Sequence, residues 1–323
     1  MDVPGRAINL QAVREAATRI YAVAVRTPLI RLDPIDRRGP EIFLKLEIFQ
    51  PIGSFKLRGA VNAIAKLPSS ALAEGVWTVS AGNAAQGVAL AAREAGAQAS
   101  VLVMDTAPAT KIANIERLGA TIYRATHDEC WKAVEDHASS RMTGRFVHPF
   151  DDDDFICGNG TTALEILEEV PDVDCVIAAL GGGGRLSGIG CVMRAMRPSA
   201  KVYAAEPETA APLAASLAAG HPVRLEDWKA SFVDGAGGRS VLPSMWPLLK
   251  QAVDGSVVVS LADVATAMRL AAERCHIIAE GAGGCAIAAA LSPQIRAAGY
   301  KRIVAVVSGG NIDLPRFASL VTE

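Results

Sequence analysis

Val173-Asp174-Cys175-Val176-Ile177-Ala178-Ala179-Leu180-Gly181-Gly182-Gly183-Gly184-Arg185 is the stretch that decides the fold. Its first eight residues are apolar but for Asp174 and show no polar alternation, the mark of a strand buried on both faces. Four glycines end it, and helical periodicity begins near Arg185. A strand, a sharp turn and a helix make the opening half of a parallel βαβ unit. The same alternation runs outward in both directions. Apolar, β-branched runs at 42–46, 76–79, 100–104, 120–123, 201–205, 256–259 and 303–307 read as further strands. Ala-rich stretches at 84–95, 109–118, 129–141, 161–169 and 262–275 have helical periodicity. The chain therefore reads as α/β, with mostly parallel sheets and helices on both faces.

Composition narrows the function. Of 323 residues, 32 are Lys or Arg and 34 are Asp or Glu, a net charge of -2. That balance gives no electrostatic reason to expect nucleic acid or an anionic membrane as partner. Half the residues are hydrophobic, which excludes a disordered chain. Uncharged apolar runs such as 282–291 stop near ten residues, half the ~20 a spanning helix needs, so no membrane span is expected. Residues 1–6 lack the apolar stretch of a secretory signal. The six cysteines (130, 157, 175, 191, 275 and 285) include no CxxC pair and read as reduced thiols of a cytoplasmic protein. The five histidines show no ligand spacing, and neither a Gly-x-Ser-x-Gly elbow nor a His-Glu-x-x-His motif occurs, which disfavours a hydrolase or zinc enzyme. The acidic run at 151–154 reads most simply as a solvated loop before a helix, or as a domain crossover.

Three glycine-bearing turns follow strand ends, where ligands bind in such folds. They are Ser80-Ala81-Gly82-Asn83, the four glycines, and Ser308-Gly309-Gly310-Asn311. Together they suggest one cleft fed by several strands. At the four glycines the backbone can bring several N–H groups to one anion, and the next helix adds its positive end, so a phosphate cradle is expected. Glu206, about twenty residues on, raises a dinucleotide alternative. The strict GxGxxG spacing is absent, since Ser187 holds the expected glycine position.

The segment Gln50-Pro51-Ile52-Gly53-Ser54-Phe55-Lys56-Leu57-Arg58-Gly59-Ala60 breaks a strand at Pro51 and Gly53 and starts a helix near Ser54. Lys56 then lies in the first turn, where a cation opposes the helix dipole. Desolvation beside Phe55 adds to this, and both effects favour the neutral amine that a nucleophilic lysine requires.

With the three turns, this segment resembles the pyridoxal-phosphate enzymes of the tryptophan-synthase β fold (fold type II), and among them the threonine/serine dehydratases and serine racemases. The likeness covers nearly the whole chain with its motifs in order. The cysteine-synthase branch is less similar, as it carries Lys-Asp-Arg and a Thr-Ser-Gly-Asn turn. The resemblance implies two open, mostly parallel twisted sheets. A large cofactor-binding domain would span 1–74 and 148–323, and a small mobile domain 75–147. No room is expected for a regulatory domain after Ser308. It implies pyridoxal 5'-phosphate as cofactor, tethered by Lys56, which also removes the substrate's Cα proton. Phe55 would pack beside the pyridine ring and Asn83 would bond its O3′. Gly181, Gly182, Gly183, Gly184 and the Arg185 N–H would hold the phosphate. Ser80, Ala81, Gly82, Asn83 and Ala84 would bind the substrate carboxylate. Ser308 would meet the pyridine nitrogen, or else cap its own turn. Glu280 would face cofactor or substrate, or cap the helix that follows it. A homodimer is usual in the family.

The implied reaction is dehydration and deamination of a β-hydroxy amino acid such as L-threonine or L-serine to a 2-oxo acid and ammonia. Racemases of this group add a serine where this chain has Ala81, which favours a dehydratase over an amino-acid racemase. Residue 84 is often His in the family; Ala84 opens space for 3-hydroxyaspartate or 3-phenylserine. Related enzymes hold a cation near Glu206 with a second acid where Pro212 stands here, so no divalent metal is expected; a monovalent ion held by carbonyls is still compatible. Arg185 also departs from the usual apolar residue, and its side chain either reinforces the phosphate or reaches solvent. Two readings from other classes stay open: a nicotinamide-dependent oxidoreductase and a non-catalytic amino-acid-binding protein.

Overall fold

The computed structural model describes residues 3–32, 39–107 and 109–322, without the side chains of 109 and 110. Met1 and Asp2, part of the N-terminal stretch read for a leader, lie outside the described residues. The strands are β1 (Leu29–Arg31), β2 (Glu41–Leu46), β3 (Val76–Val79), β4 (Ala99–Met104), β5 (Thr121–Ala125), β6 (Arg145–Phe146), β7 (Cys175–Ala179), β8 (Lys201–Pro207), β9 (Gly255–Val259) and β10 (Arg302–Val307). They form a six-stranded sheet ordered β1-β2-β10-β7-β8-β9 and a four-stranded sheet ordered β5-β4-β3-β6. Every pair is parallel except β1 with β2. The two central strands of the larger sheet, β7 and β10, are the buried apolar runs of the sequence, covered on both faces by helices. Helices Leu261–Cys275 and Gly281–Leu291 cover one face; Asp153–Glu169 and Gly184–Met196 cover the other.

Two strands carry no sequence signal. Strand β6 is two residues long and exists because Arg145 and Phe146 pair with Val76 and Trp77. Strand β1 follows Pro28 and is too short for periodicity to register. The helix expected at 129–141 runs instead over His127–Asp136. A capping box of Thr126 and Glu129 starts it early, and His137, in the left-handed region at φ 54°, ends it. The helix expected at 161–169 begins at Asp153, with Asp152 accepting the Phe155 N–H at 2.8 Å. Gly158 and Gly160 had masked its first two turns.

The acidic run at 151–154 is not a solvated loop. Asp151 is buried and pairs with Arg6 at 2.9 Å, while Asp153 accepts from Arg6 Nε at 2.6 Å. Asp152 is the helix cap just described, and Asp154 pairs with Lys66. Acids at a helix start are favoured by the dipole, and these also tie down the N-terminal segment.

Behind the helix Lys56–Ala65 lies a buried ionic cluster. Arg58 grips Glu47 through Nε and Nη2 at 2.7 and 2.8 Å, and Glu165 through Nη1 and Nη2 at 2.6 and 2.9 Å. Lys45 Nζ joins Glu165 at 2.8 Å. Burial works against the charge on Glu165, but Arg58 and Lys45 outweigh it and hold its carboxyl down at about 2. Because that value lies below the ordinary 4.5, its contribution to stability is present above about pH 4.5 and is lost as pH falls towards 2. Replacing Arg58 with Met leaves buried acids without their fork. The expected cost is about 3–5 kcal/mol in chemical denaturation at pH 7. The variant should also lose less stability than the parent between about pH 4.5 and pH 2, the span between the unfolded and folded values of the Glu165 carboxyl; an equal loss would show that Arg58 does not hold this acid.

Candidate active site

The ends of β3, β7 and β10 open on one cavity of about 770 Å³ between the two sheets. All three turns singled out in the sequence reach it: Ser80 to Ala84, Gly181 to Arg185, and Ser308 with Gly310 and Asn311. Phe55, Lys56 and Glu280 line it as well.

Lys56 arrives there through backbone pairing. The Phe55 N–H donates to the Ser308 carbonyl at 3.0 Å, and the Gly310 N–H donates to the Gly53 carbonyl at 2.9 Å. Asn311 Nδ2 adds a bond to the Ile52 carbonyl at 2.8 Å. The turn before the lysine is thus fastened to the residues just past β10. Lys56 Nζ donates to the Pro149 carbonyl at 2.5 Å and lies 5.3 and 5.4 Å from the Phe55 and Phe155 ring centroids. Burial, reinforced by the Arg185 cation and opposed by Glu280, pulls the amine down to about 7. A large fraction is therefore neutral at physiological pH, as a nucleophile or base requires.

Gly183 adopts φ 96°, a left-handed conformation, at the start of the helix Gly184–Met196. A Cβ on Gly182 would sit 2.1 Å from the Phe150 ring. The bend is therefore possible only without side chains, and it leaves its N–H groups beside a helix start, a cradle suited to a phosphoryl group.

On the far side, Asn83 Nδ2 donates to both Glu280 oxygens at 2.9 and 3.1 Å, and its Oδ1 accepts from Asn311 Nδ2 at 2.7 Å. Glu280 precedes the helix Gly281–Leu291 but makes no side-chain capping bond, so its carboxylate belongs to the cavity. Burial pushes it up to about 7 against the Asn83 bond. The Ser308 hydroxyl is buried and without a hydrogen-bond partner among the described residues, so it does not cap its turn. Ser80 Oγ accepts from the Gly82 N–H at 3.1 Å, which shapes the turn at the start of the helix Asn83–Glu94. Ala84 is buried, and Ala81 packs partly against the core of the smaller sheet. The Arg185 side chain is only 5% exposed and does not reach solvent.

Glu206 lies elsewhere in the chemistry. It is buried, accepts the N–H groups of Leu213 and Ala214 at 2.8 Å each, and takes the Ser256 hydroxyl at 2.5 Å. Its oxygens are spent capping the helix Pro212–Ala219, which leaves no ribose partner for a dinucleotide. Among the described residues no cluster of three or more His, Cys, Asp or Glu has metal-site geometry. Two residues went unnoticed in the sequence. Pro149 acts through its carbonyl, which no side-chain pattern reveals. Asn311 was quoted only as part of a turn, though it ties the lysine segment to Asn83.

Residues 20–309 match the family model described as pyridoxal-phosphate dependent enzyme. The chain belongs to this family. It is 37% identical over 319 residues to an L-threonine ammonia-lyase of Thermotoga maritima, covering 98% of this chain and 79% of that protein. It is 33% identical over 312 residues to an L-threo-3-hydroxyaspartate ammonia-lyase of Saccharomyces cerevisiae, covering 96% and 95%. Among solved structures it is similar to maize serine racemase, with a TM-score of 0.89 and 34% identity over 97% of this chain and 96% of that one. The cofactor is pyridoxal phosphate, and the residues present suit it: an amine near neutrality, a side-chain-free phosphate cradle and a buried hydroxyl lacking a partner.

The lowered amine has a direct test. In the cofactor-free protein, the rate at which Lys56 is labelled by an aldehyde with borohydride should level off above about pH 8, while an ordinary exposed lysine goes on rising toward about pH 10. Peptide mass spectrometry reads both. Parallel curves would show that the cavity leaves the amine unperturbed.

Proposed function

We propose that this pyridoxal-phosphate enzyme is an ammonia-lyase that dehydrates and deaminates a β-hydroxy amino acid of the L-threonine or L-serine type to a 2-oxo acid and ammonia. The observation that carries the reading is a lysine amine near neutrality in a cavity whose carboxylate-binding turn offers Ala81 where racemases have a hydroxyl. When bound, pyridoxal phosphate supplies an electron sink for the charge left at Cα. Lys56 tethers the cofactor and then takes the Cα proton on Nζ. The turn of residues 80–84, at a helix start, orients the substrate carboxylate by backbone N–H groups. Phe55 would pack beside the ring and Asn83 would reach its phenolic oxygen, with Glu280 holding Asn83 in place through bonds of 2.9 and 3.1 Å. Ser308, a buried hydroxyl without a partner among the described residues, would face the ring nitrogen as a neutral group that does not hold it protonated. Ala81 has no proton to return from the opposite face, so elimination outruns racemisation.

The small unit of residues 75–147 is read as a mobile lobe against 1–74 and 148–323. Asn83 bonding to Glu280 and Asn311, and Lys111 pairing with Asp234 at 2.5 Å across the cavity mouth, are contacts that opening of the lobe would have to break. A homodimer completes the reading on the family resemblance. A cytoplasmic setting agrees with six cysteines that form no disulfide among the described residues, five of them buried.

Substrate rank follows from Ala84, which is small where a His would crowd the turn. Oxo-acid release is to be measured across L- and D-serine, threonine, 3-hydroxyaspartate and 3-phenylserine. The bulkier or more acidic substrates should stand beside or above threonine, and Ala84→His should push them down. Lys56→Ala should abolish the visible cofactor band and lower release about 10³-fold or more. Threonine far ahead with a ranking unchanged in Ala84→His would remove the role given to Ala84. Faster racemisation than oxo-acid release would assign the protein to the racemases, and cofactor binding without turnover would make it an amino-acid-binding protein.

A further inference from the structure

Arg185 carries chemistry that the reading above leaves unused. It is the second residue of the helix Gly184–Met196, and its side chain lines the cavity at 5% exposure. Its guanidinium lies 4.2 Å from the centroid of the Phe55 ring, and Nη2 donates to the Ala179 carbonyl at 2.9 Å. The other two nitrogens, Nε and Nη1, are buried with no hydrogen-bond partner among the described residues. Glu47 and Glu280 act on it only through space, for Glu47 is gripped by Arg58 and Glu280 by Asn83. Burial draws the guanidinium down, yet only to about 10, so it stays charged at neutral pH.

A buried, half-satisfied cation is costly unless an anion meets it. Its free N–H groups lie one residue past a glycine bend whose backbone N–H groups already favour an oxyanion. We propose that the Arg185 guanidinium is a direct partner of the cofactor's phosphoryl group, adding a charge-assisted contact to those of the glycine bend. This deepens the cofactor assignment of the same site and is independent of which amino acid the enzyme takes. A substrate carboxylate is the competing anion, less favoured because the carboxylate-binding turn lies at the end of β3 while Arg185 follows β7.

The test replaces Arg185 with Met, which keeps the length and removes the charge. Purified holoenzyme is stripped and reloaded with pyridoxal phosphate or with pyridoxal, which lacks the phosphoryl group, and the visible absorbance reads loading. The dissociation constant for pyridoxal phosphate should rise about 10- to 100-fold, with that for pyridoxal changed less than about 2-fold. Arg185→Lys should recover part of the loss. The stripped Arg185→Met protein should melt at or above the parent's temperature, since an unpaired buried charge is gone, which separates weak binding from misfolding. Inorganic phosphate should raise the melting temperature of the stripped parent more than that of the variant, which keeps the glycine bend. Unchanged affinity for pyridoxal phosphate, or an equal loss for both compounds, overturns the proposal. So does intact cofactor affinity with a KM rise confined to substrates bearing a second carboxylate, which would give the guanidinium to the substrate. None of these results bears on the family assignment, which requires only that a band dependent on Lys56 forms.

Discussion

Two cations, Lys56 and Arg185, are held against one phenyl ring beneath a glycine bend, and much of the site follows from that constraint. Water would dissolve such an arrangement by screening it. Here burial weakens both charges and the Arg185 cation adds to it at Lys56, so the amine gives up its proton more readily than the guanidinium does. Arginine is the group able to stay charged under this pressure, and lysine is the one able to yield. The division leaves a neutral nucleophile and a fixed positive charge side by side, the pair needed to bind a phosphorylated aldehyde and react with it.

Holding that pair requires a rigid backing. The helix that begins at Lys56 continues directly into Arg58, whose guanidinium is locked between two carboxylates. The turn before it is pinned from the other side by backbone bonds, Phe55 N–H to the Ser308 carbonyl and Gly310 N–H to the Gly53 carbonyl. Lys56 therefore cannot swing away without breaking either a buried ion cluster or the seam past β10. The ion cluster is weak evidence for net stability, since desolvation offsets much of its attraction. Its geometric effect is clearer: two forked contacts fix the roll of the helix and hence the direction in which Lys56 leaves it.

The fold was legible because its core strands are short, uninterrupted and β-branched, and each is followed by helical periodicity. Helices such as Leu10–Ile20 and Leu314–Thr322 went unread, and β1, β6 and the first turns of the helix Asp153–Glu169 escaped because they depend on pairing partners or on glycines that dilute the pattern. At the cavity, the three turns were legible as strand-end glycine motifs, and their convergence followed from parallel topology. The Pro149 carbonyl was illegible, because any residue there would supply the same atom. The Arg185 side chain was legible only as two alternatives, phosphate or solvent, for a sequence does not say whether a long side chain folds inward. Asp151 was misjudged for the same reason: its run of like neighbours looks solvated until Arg6 is seen to lie against it.

The distribution of protons in the cavity argues for elimination. Lys56 is the amine placed to exchange a proton, and its bond runs to a backbone carbonyl that can accept but never donate. Glu280 also sits near neutrality, yet both its oxygens face Asn83, so it orients that amide in preference to shuttling a proton. Ser80 shapes the carboxylate turn by accepting the Gly82 N–H, and Ala81 beside it has nothing to give. A racemising enzyme needs a donor on each side of Cα. A cavity with Ala81 where a second donor would stand can relieve a carbanion more readily by expelling a β-substituent than by reprotonating it from the other face.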